Sequence, residues 1–265
     1  MASAVTLAGP FRLTGRTALV TGAGSARGIG REVARTLHAA GARVALADLD
    51  GEGARRNAIE LGDGALGLQV DVTDPASVAA AAATARGELG APIGILVCSA
   101  GISRGTALTD LTLEEFDLVM GVNARGTFIC LQEVLPDMRT GRWGRVVMLG
   151  SLAGKQGGGV FGSAHYAASK AALRGLCQAA ARELGPFGIT CNVIAPGLVD
   201  TDIIVTGGAT PEQRDQIAER VAATAPMRRV ARPADIAAAA LFLASEEAGY
   251  VTGEVLDVNG GAYFD

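Results

Sequence analysis

Between Thr17 and Asp48 the chain runs strand, glycine-rich turn, helix, strand, and this unit restricts the possible folds more than any other stretch. Thr17-Ala18-Leu19-Val20 is a short apolar run, the pattern of a strand buried on both faces. The turn Thr21-Gly22-Ala23-Gly24-Ser25-Ala26-Arg27-Gly28-Ile29-Gly30 follows. A helix is predicted over 31–40, closed by Gly41, and a second strand over 43–47 ends at Asp48. Two strands joined through a helix must pair in parallel, because the crossover returns the chain to the same edge. The alternation continues with strands over 65–70, 94–98, 145–149, 189–194 and 255–258. Helices are expected from Pro75 behind a capping Asp74, over 112–135 with a break at Pro136, from the Tyr166 region to Gly185, and over 211–223 and 233–244. A glycine-rich loop is expected over 150–162. Apolar strands alternating with helices predict an α/β fold, a parallel sheet with helices on both faces.

Composition narrows the function. A chain of 265 residues, 49% hydrophobic and 19% charged, can bury a substantial core, and with no linker or repeat it is read as one domain, 1–265, with 1–14 as a lead-in. The net charge of −4 and the lack of a basic block argue against a nucleic-acid partner. Cys98, Cys130, Cys177 and Cys191 form neither a C-x-x-C pair nor a Cys/His cluster, so buried thiols are expected, with no metal and no disulfide framework. The first residues lack a secretory pattern, and the apolar run around 236–244 is too short to span a bilayer. A cytoplasmic protein with no membrane partner is the expectation.

Glycines between a strand and a helix let a pyrophosphate approach the backbone, where the helix N-terminus adds a partial positive charge. An acid at the end of the second strand accepts from ribose hydroxyls, and Asp48 stands 20 residues after Gly28. Dinucleotide binding follows from the strand, turn, helix and acid taken together. The turn is unusual in spacing. Gly22-x-Gly24-x-x-x-Gly28 misses the Gly-x-Gly-x-x-Gly pattern by one residue, whereas Gly24-x-x-x-Gly28-x-Gly30 is intact.

A second constellation is Tyr166-Ala167-Ala168-Ser169-Lys170. A tyrosine and a lysine four apart on a helix share a face. Of 23 basic residues only Lys155 and Lys170 are lysine. Lysine offers a compact ammonium on a flexible stem in place of arginine's permanently charged fork. A phenol has a reference pKa near ~10, and a neighbouring ammonium would lower it toward a working acid/base. His165 adjoins Tyr166 but points about 100° away on a helix, and is read as a helix-start or substrate-loop residue. His38 is read as a solvated cation at a helix end, and Glu114-Glu115 as favourable charge at a helix start.

With these pieces in place the sequence resembles the short-chain dehydrogenase/reductase family from about Leu13 to Gly261. The matching pieces stand in order: the glycine turn, Asp71-Val72, Ser99-Ala100-Gly101, Asn123, Ser151, Tyr166-x-x-x-Lys170, and Pro196-Gly197 with Thr201. The resemblance implies a doubly wound, Rossmann-type domain with a seven-stranded parallel sheet. It also implies a nicotinamide cofactor and hydride transfer to or from a carbonyl carbon. On it, Tyr166 is the acid/base, Lys170 its activator and ribose anchor, Ser151 the substrate-orienting hydroxyl, and Asn123 the holder of a relay water. Gly22, Gly24, Arg27, Gly28, Ile29 and Gly30 would line the phosphates. Asp71 and Val72 would meet adenine, and Val199 and Thr201 the carboxamide. Ala100, Gly101, Pro196 and Gly197 complete the implied cofactor contacts. Cys98-Ser99 stand where the family carries two asparagines. The 15 residues from Ser151 to Tyr166 exceed the usual spacing and include Gly157-Gly158-Gly159, and Ser163 is an alternative hydroxyl.

Two residues pull the cofactor choice in opposite directions. Asp48 suits the 2′-hydroxyl of NAD and repels the 2′-phosphate of NADP, while Arg27 could clamp that phosphate. The carboxylate beneath the ribose favours NAD. The segment 200–226, with Ile203, Ile204 and Val205, is expected to cover a small-molecule substrate with some apolar surface. The leading reading is a secondary alcohol dehydrogenase or ketone reductase. An NADPH-dependent 3-oxoacyl reductase and a cofactor-binding redox sensor remain as alternatives. A homotetramer follows from the resemblance alone.

Overall fold

Seven strands form one sheet in the computed structural model, which describes residues 10–158, 164–203, 208 and 210–264. They are β1 (Thr17–Thr21), β2 (Arg43–Asp48), β3 (Ala65–Gln69), β4 (Ile95–Cys98), β5 (Gly144–Leu149), β6 (Ile189–Pro196) and β7 (Val255–Val258). They pair in the order β3-β2-β1-β4-β5-β6-β7, and every neighbouring pair is parallel. The strand order reverses between β1 and β4. In open parallel sheets, ligands bind in the crevice outside the strand C-termini at such a point.

Strand residues alternate between two cores. Leu19, Leu96, Cys98, Val146, Met148, Cys191 and Val193 face one side. They pack under α3 (Pro75–Glu88), α5 (Gly126–Gly141) and α7 (Ala164–Leu184). Ala18, Val20, Val44, Leu46, Ile95, Val97, Val147 and Ile194 face the other side. They pack under α1 (Ile29–Ala39) and α9 (Pro233–Ala244). This two-residue period buries both faces, each large side chain contributing roughly 1.5–3 kcal/mol. All four cysteines are buried thiols in these cores. Among the described residues no helix is long and apolar enough to cross a membrane.

Three elements differ from expectation. A helix α2 (Gly51–Leu61) lies where the polar sequence gave no periodic signal. Asp50 caps it, its Oδ1 accepting from the Gly53 N–H at 3.0 Å. Its glycines serve close packing: a Cβ at Gly51 would lie 2.5 Å from Gln69 Cβ, and one at Gly53 2.6 Å from the Gly24 carbonyl. The helix expected over 112–135 is three segments, α4 (Leu113–Met120), a π-turn Gly121–Arg125, and α5. Pro136 does not end α5, which continues to Gly141. Arg86 of α3 bridges the proline, donating to Glu133 Oε1 (2.9 Å), the Glu133 carbonyl (3.0 Å) and Asp137 Oδ2 (2.8 Å), while Val134 and Met138 stay buried. The loop after β5 contains a short helix α6 (Ala153–Gln156). The helix α8 (Pro211–Thr224) carries a Thr210/Gln213 capping box and has no buried residue.

Candidate active site

The glycine turn leaves β1 at the switch point, and its tightness is set by what surrounds it. Gly22 has φ +70°, and a Cβ there would sit 2.5 Å from the Ala100 nitrogen. A Cβ at Gly30 would sit 2.3 Å from the Gly22 carbonyl oxygen. Side chains at either position would close the cradle. Ala100 and Gly101 therefore wall the same groove from the end of β4, where the Ala100 N–H reaches Thr21 Oγ1 at 3.3 Å. Asp48 stands against the turn, its Oδ2 accepting from the Gly24 N–H at 2.8 Å and its Oδ1 from the Asp50 N–H at 3.0 Å. Its carboxylate is thus oriented by backbone donors at the end of β2. Gly28 and Ile29 open α1, with Gly28 as its N-cap. Asn57 of α2 was not anticipated. Its buried amide donates to the carbonyls of Ala23 (2.8 Å) and Gly24 (3.0 Å) and so fixes the turn from beneath.

Arg27, offered by the sequence as a clamp for a 2′-phosphate, is paired with carboxylates in the protein alone. Its Nη2 donates to Asp200 Oδ1 at 2.6 Å and its Nε lies 3.8 Å from Asp202 Oδ1. Ser25 Oγ also donates to Asp202 Oδ2 at 3.3 Å. The enlarged turn is tied to the segment after β6.

Along the groove, Asp71 accepts from the Thr73 hydroxyl (2.7 Å) and N–H (2.8 Å), which holds its carboxyl below the usual value. Val72 is buried beside it against Gly126. At the far side, the Pro196 carbonyl accepts from the Leu152 N–H (2.9 Å), and Gly197 packs on Asn259. Val199 bridges to Ala231, and Thr201 is buried. All these residues lie at or beyond the C-terminal ends of the strands.

Tyr166, Ser151 and Lys170 meet at the centre. Burial raises the Tyr166 phenol, and the hydrogen bond with Ser151 opposes that shift. Lys170 Nζ is buried, donates to the Leu149 carbonyl at 2.7 Å and lies 5.8 Å from the Tyr166 ring centroid. Burial lowers its pKa to about 8. The expected lowering of the phenol by the ammonium is therefore not what this arrangement gives. In the protein alone, loss of water around each group dominates its shift, opposed at the phenol by the Ser151 hydrogen bond. Ser151 Oγ also accepts from the Ala153 N–H at 3.1 Å, so its hydroxyl is fixed by α6.

Asn123, fully buried in the π-turn, accepts from the Ile102 N–H (2.9 Å) and donates to the Ile102 carbonyl (3.0 Å) and Ser169 Oγ (2.9 Å). Ser169 in turn donates to the Tyr166 carbonyl at 2.8 Å. Asn123 thus supplies amide contacts to the strand β4 exit, where Cys98-Ser99 provide no amide side chain. Ser169 was not singled out from sequence, although its place three residues after Tyr166 is the spacing for such a back-bond. His165 is buried with Nε2 3.2 Å from Glu115 Oε1, so Glu115 does more than charge a helix start. His38 is not simply solvated. Its Nε2 lies 2.8 Å from the Asp63 carbonyl. Ser163, Ile204, Val205 and Gly159 lie outside the described residues.

These features define a nicotinamide-linked oxidoreductase built on a doubly wound sheet. Comparison with known proteins gives the family. Residues 22–263 match a family model described as enoyl-(acyl carrier protein) reductase. The chain is 42% identical over 249 residues to the 3-oxoacyl-[acyl-carrier-protein] reductase FabG of Escherichia coli (strain K12), covering 94% of this chain and 98% of that one. It is 36% identical over 268 residues to (3R)-3-hydroxyacyl-CoA dehydrogenase of Mus musculus, covering 97% and 100%. A solved short-chain type dehydrogenase/reductase from Mycobacterium marinum superposes with a TM-score of 0.88 at 33% identity, covering 96% of this chain and 98% of that one. The chain belongs to the short-chain dehydrogenase/reductase family. It is an NAD(P)-dependent enzyme transferring hydride between a nicotinamide and an alcohol or ketone carbon.

Proposed function

We propose that this chain interconverts a secondary alcohol and a ketone with NAD, on substrates of the 3-hydroxyacyl/3-oxoacyl thioester class. The observation that carries the reading is the Ser151–Tyr166 hydrogen bond, set beside Lys170 at the mouth of the glycine cradle. The substrate class rests on the two relatives, whose names both place the reacting oxygen on C3 of an acyl chain.

When bound, the nicotinamide supplies or accepts the hydride. The chain's residues handle the proton and the geometry. The Tyr166 phenol donates its proton to the developing alkoxide in reduction and, as phenolate, accepts the hydroxyl proton in oxidation. Ser151 Oγ hydrogen-bonds the same oxygen and orients it. Lys170 holds a cation beside the phenol and would anchor the ribose, and Asn123 fixes the turn behind it. The cradle of Gly22, Gly24, Arg27, Gly28, Ile29 and Gly30 would hold the phosphates at the α1 N-terminus. Ala100, Gly101, Pro196 and Gly197 would line the dinucleotide, with Asp71 and Val72 as the residues for the adenine and Val199 and Thr201 for the carboxamide.

NAD is favoured because Asp48 is held in place by two backbone N–H groups, while Arg27 is engaged by Asp200 and Asp202. Asp48→Ser is expected to tighten NADPH relative to NADH by roughly tenfold or more, as the repelling carboxylate is lost. Fluorescence titration with both reduced cofactors checks this, and an unchanged ratio would remove Asp48 as the selector.

The second reading, an NADPH-dependent 3-oxoacyl reductase, is favoured by the FabG similarity. A panel of 3-oxoacyl and 3-hydroxyacyl thioesters, simple ketones and cyclic alcohols, run with each cofactor from neutral to alkaline pH, separates the two. Because burial raises the Tyr166 phenol, oxidation is expected to climb with pH as phenolate forms, and reduction to fall over the same range. Turnover of alcohols but of no thioester would overturn the substrate class.

The same reading takes residues 1–265 as one catalytic domain and the protein as cytoplasmic and homotetrameric. Exposed Leu113, Leu118 and Phe128 on α4 and α5, and Tyr250 and Phe264 near the C-terminal strand, are apolar surface suited to two subunit contacts.

A further inference from the structure

Tyr166 stands in the first turn of α7, which begins at Ala164. The first N–H groups of a helix lack intrahelical acceptors, and helix ends fray. A phenol that must meet a reacting oxygen within a few tenths of an ångström therefore needs anchors outside its own helix. One is described above, the Ser151 hydrogen bond; a second, the Ser169 hydroxyl on the Tyr166 carbonyl, lies within α7 and is tied to another element only through Asn123.

His165 provides a third connection. Its side chain has no solvent exposure, and its Nε2 lies 3.2 Å from Glu115 Oε1 in the first turn of α4. The Thr106 hydroxyl, in the loop between β4 and α4, donates to the same oxygen at 2.6 Å. A carboxylate only accepts, so the ring nitrogen facing it carries a proton and both neighbours are donors. One oxygen thus joins three elements: the start of α7, the start of α4, and the loop leaving the cradle wall at Ala100-Gly101. The parallel bridge from Asn123 through Ser169 joins α7 to the π-turn eight residues further along.

We propose that His165, through Glu115 and Thr106, is a positioning residue that fixes the first turn of α7 and the β4–α4 loop together, and so sets the Tyr166 phenol against Ser151. The inference rests on Tyr166 being the acid/base. His165 does not touch the reacting atoms, and its effect passes through the backbone it shares with Tyr166. A glutamine at this position places an amide nitrogen near the Nε2 location and can still donate to Glu115, whereas leucine fills the space without donating.

The test uses the full chain as His165→Leu, His165→Gln and Thr106→Val. In His165→Leu, kcat is expected to fall by roughly 10- to 100-fold, a misplacement effect, while the reduced-cofactor Kd changes less than about twofold. His165→Gln is expected to recover kcat to within about threefold, and Thr106→Val to lose severalfold. Hydrogen exchange of peptides covering 102–112 and 164–168 gives a readout that needs no substrate. Exchange should rise in both peptides in His165→Leu and in neither in His165→Gln. Equal kcat loss in the leucine and glutamine variants, or faster exchange in the 164–168 peptide alone, overturns the proposal. Coupled exchange in a chain whose turnover survives Tyr166→Phe would refute the acid/base reading and leave the coupling intact.

Discussion

Tyr166→Phe is expected to lower turnover by about 10²–10⁴-fold while cofactor affinity stays within about twofold and the melting temperature changes little. The substitution removes one hydroxyl and keeps the ring that packs at the start of α7. Ser151 does not lose its place with its partner, because its oxygen still accepts from the Ala153 N–H at 3.1 Å. The Tyr166 carbonyl keeps its bond from Ser169, so the first turn retains that anchor. What disappears is the group that exchanges a proton with the substrate oxygen. Stopped-flow or steady-state absorbance of the nicotinamide reads the turnover, and quenching or enhancement of its fluorescence reads the binding. Turnover within tenfold of the unaltered chain would assign the proton to another group.

Lys170→Met is expected to separate activity from stability. Burial holds the Lys170 pKa near about 8 against a reference of 10.5, so folding disfavours the ammonium by about 3 kcal/mol at neutral pH as an order of magnitude. Methionine removes that cost and loses the hydrogen bond to the Leu149 carbonyl, worth about 1–3 kcal/mol with the acceptor left buried. A net gain of about 1 kcal/mol corresponds to roughly 2–4 °C in melting temperature at pH 7. The sign with pH follows from the direction of the shift. A lysine with a depressed native pKa destabilises most below about pH 8, and the native chain recovers stability as pH rises from 8 to 10.5. The variant's advantage should shrink over that same interval. Turnover should fall by about 10²-fold or more, since no cation remains beside the phenol. Melting curves of both chains from pH 7 to 10.5 provide the check. A variant that is less stable at pH 7, with no narrowing at higher pH, would show that the ammonium is not held at a cost.

The two constellations were legible for different reasons. The glycine turn could be recognised because a backbone that approaches a phosphate tolerates no Cβ, and glycine at those positions leaves a pattern in the letters. Tyr166 and Lys170 could be recognised because helical geometry alone places residues four apart on one face. The helix α2 was not legible. Its glycines, which usually weaken a helix, are there to let it pack against β3 and the turn, and its polar residues carry no apolar stripe. Pro136 misled for a similar reason. The local cost of a proline is met by the Arg86 contacts and two buried side chains that lie far off in sequence or on the other side of the helix.

By itself the sequence determined the alternation of strands and helices, the parallel sheet, the glycine turn between β1 and α1, and the shared helix face of Tyr166 and Lys170. Each depends on periodicity or on the steric demands of single residues, and these are properties of short stretches. Only the tertiary structure decided where Arg27 points, how the two buried groups titrate, and that His165 meets Glu115. Hydrogen bonds and desolvation depend on which side chains arrive at the same place, and that is settled by the packing of α4, α7 and the loops after β4 and β6. The turn with its enlarged spacing shows the division within one stretch. Its glycines announce the cradle, whereas the carboxylates that hold Ser25 and Arg27 lie more than 170 residues away.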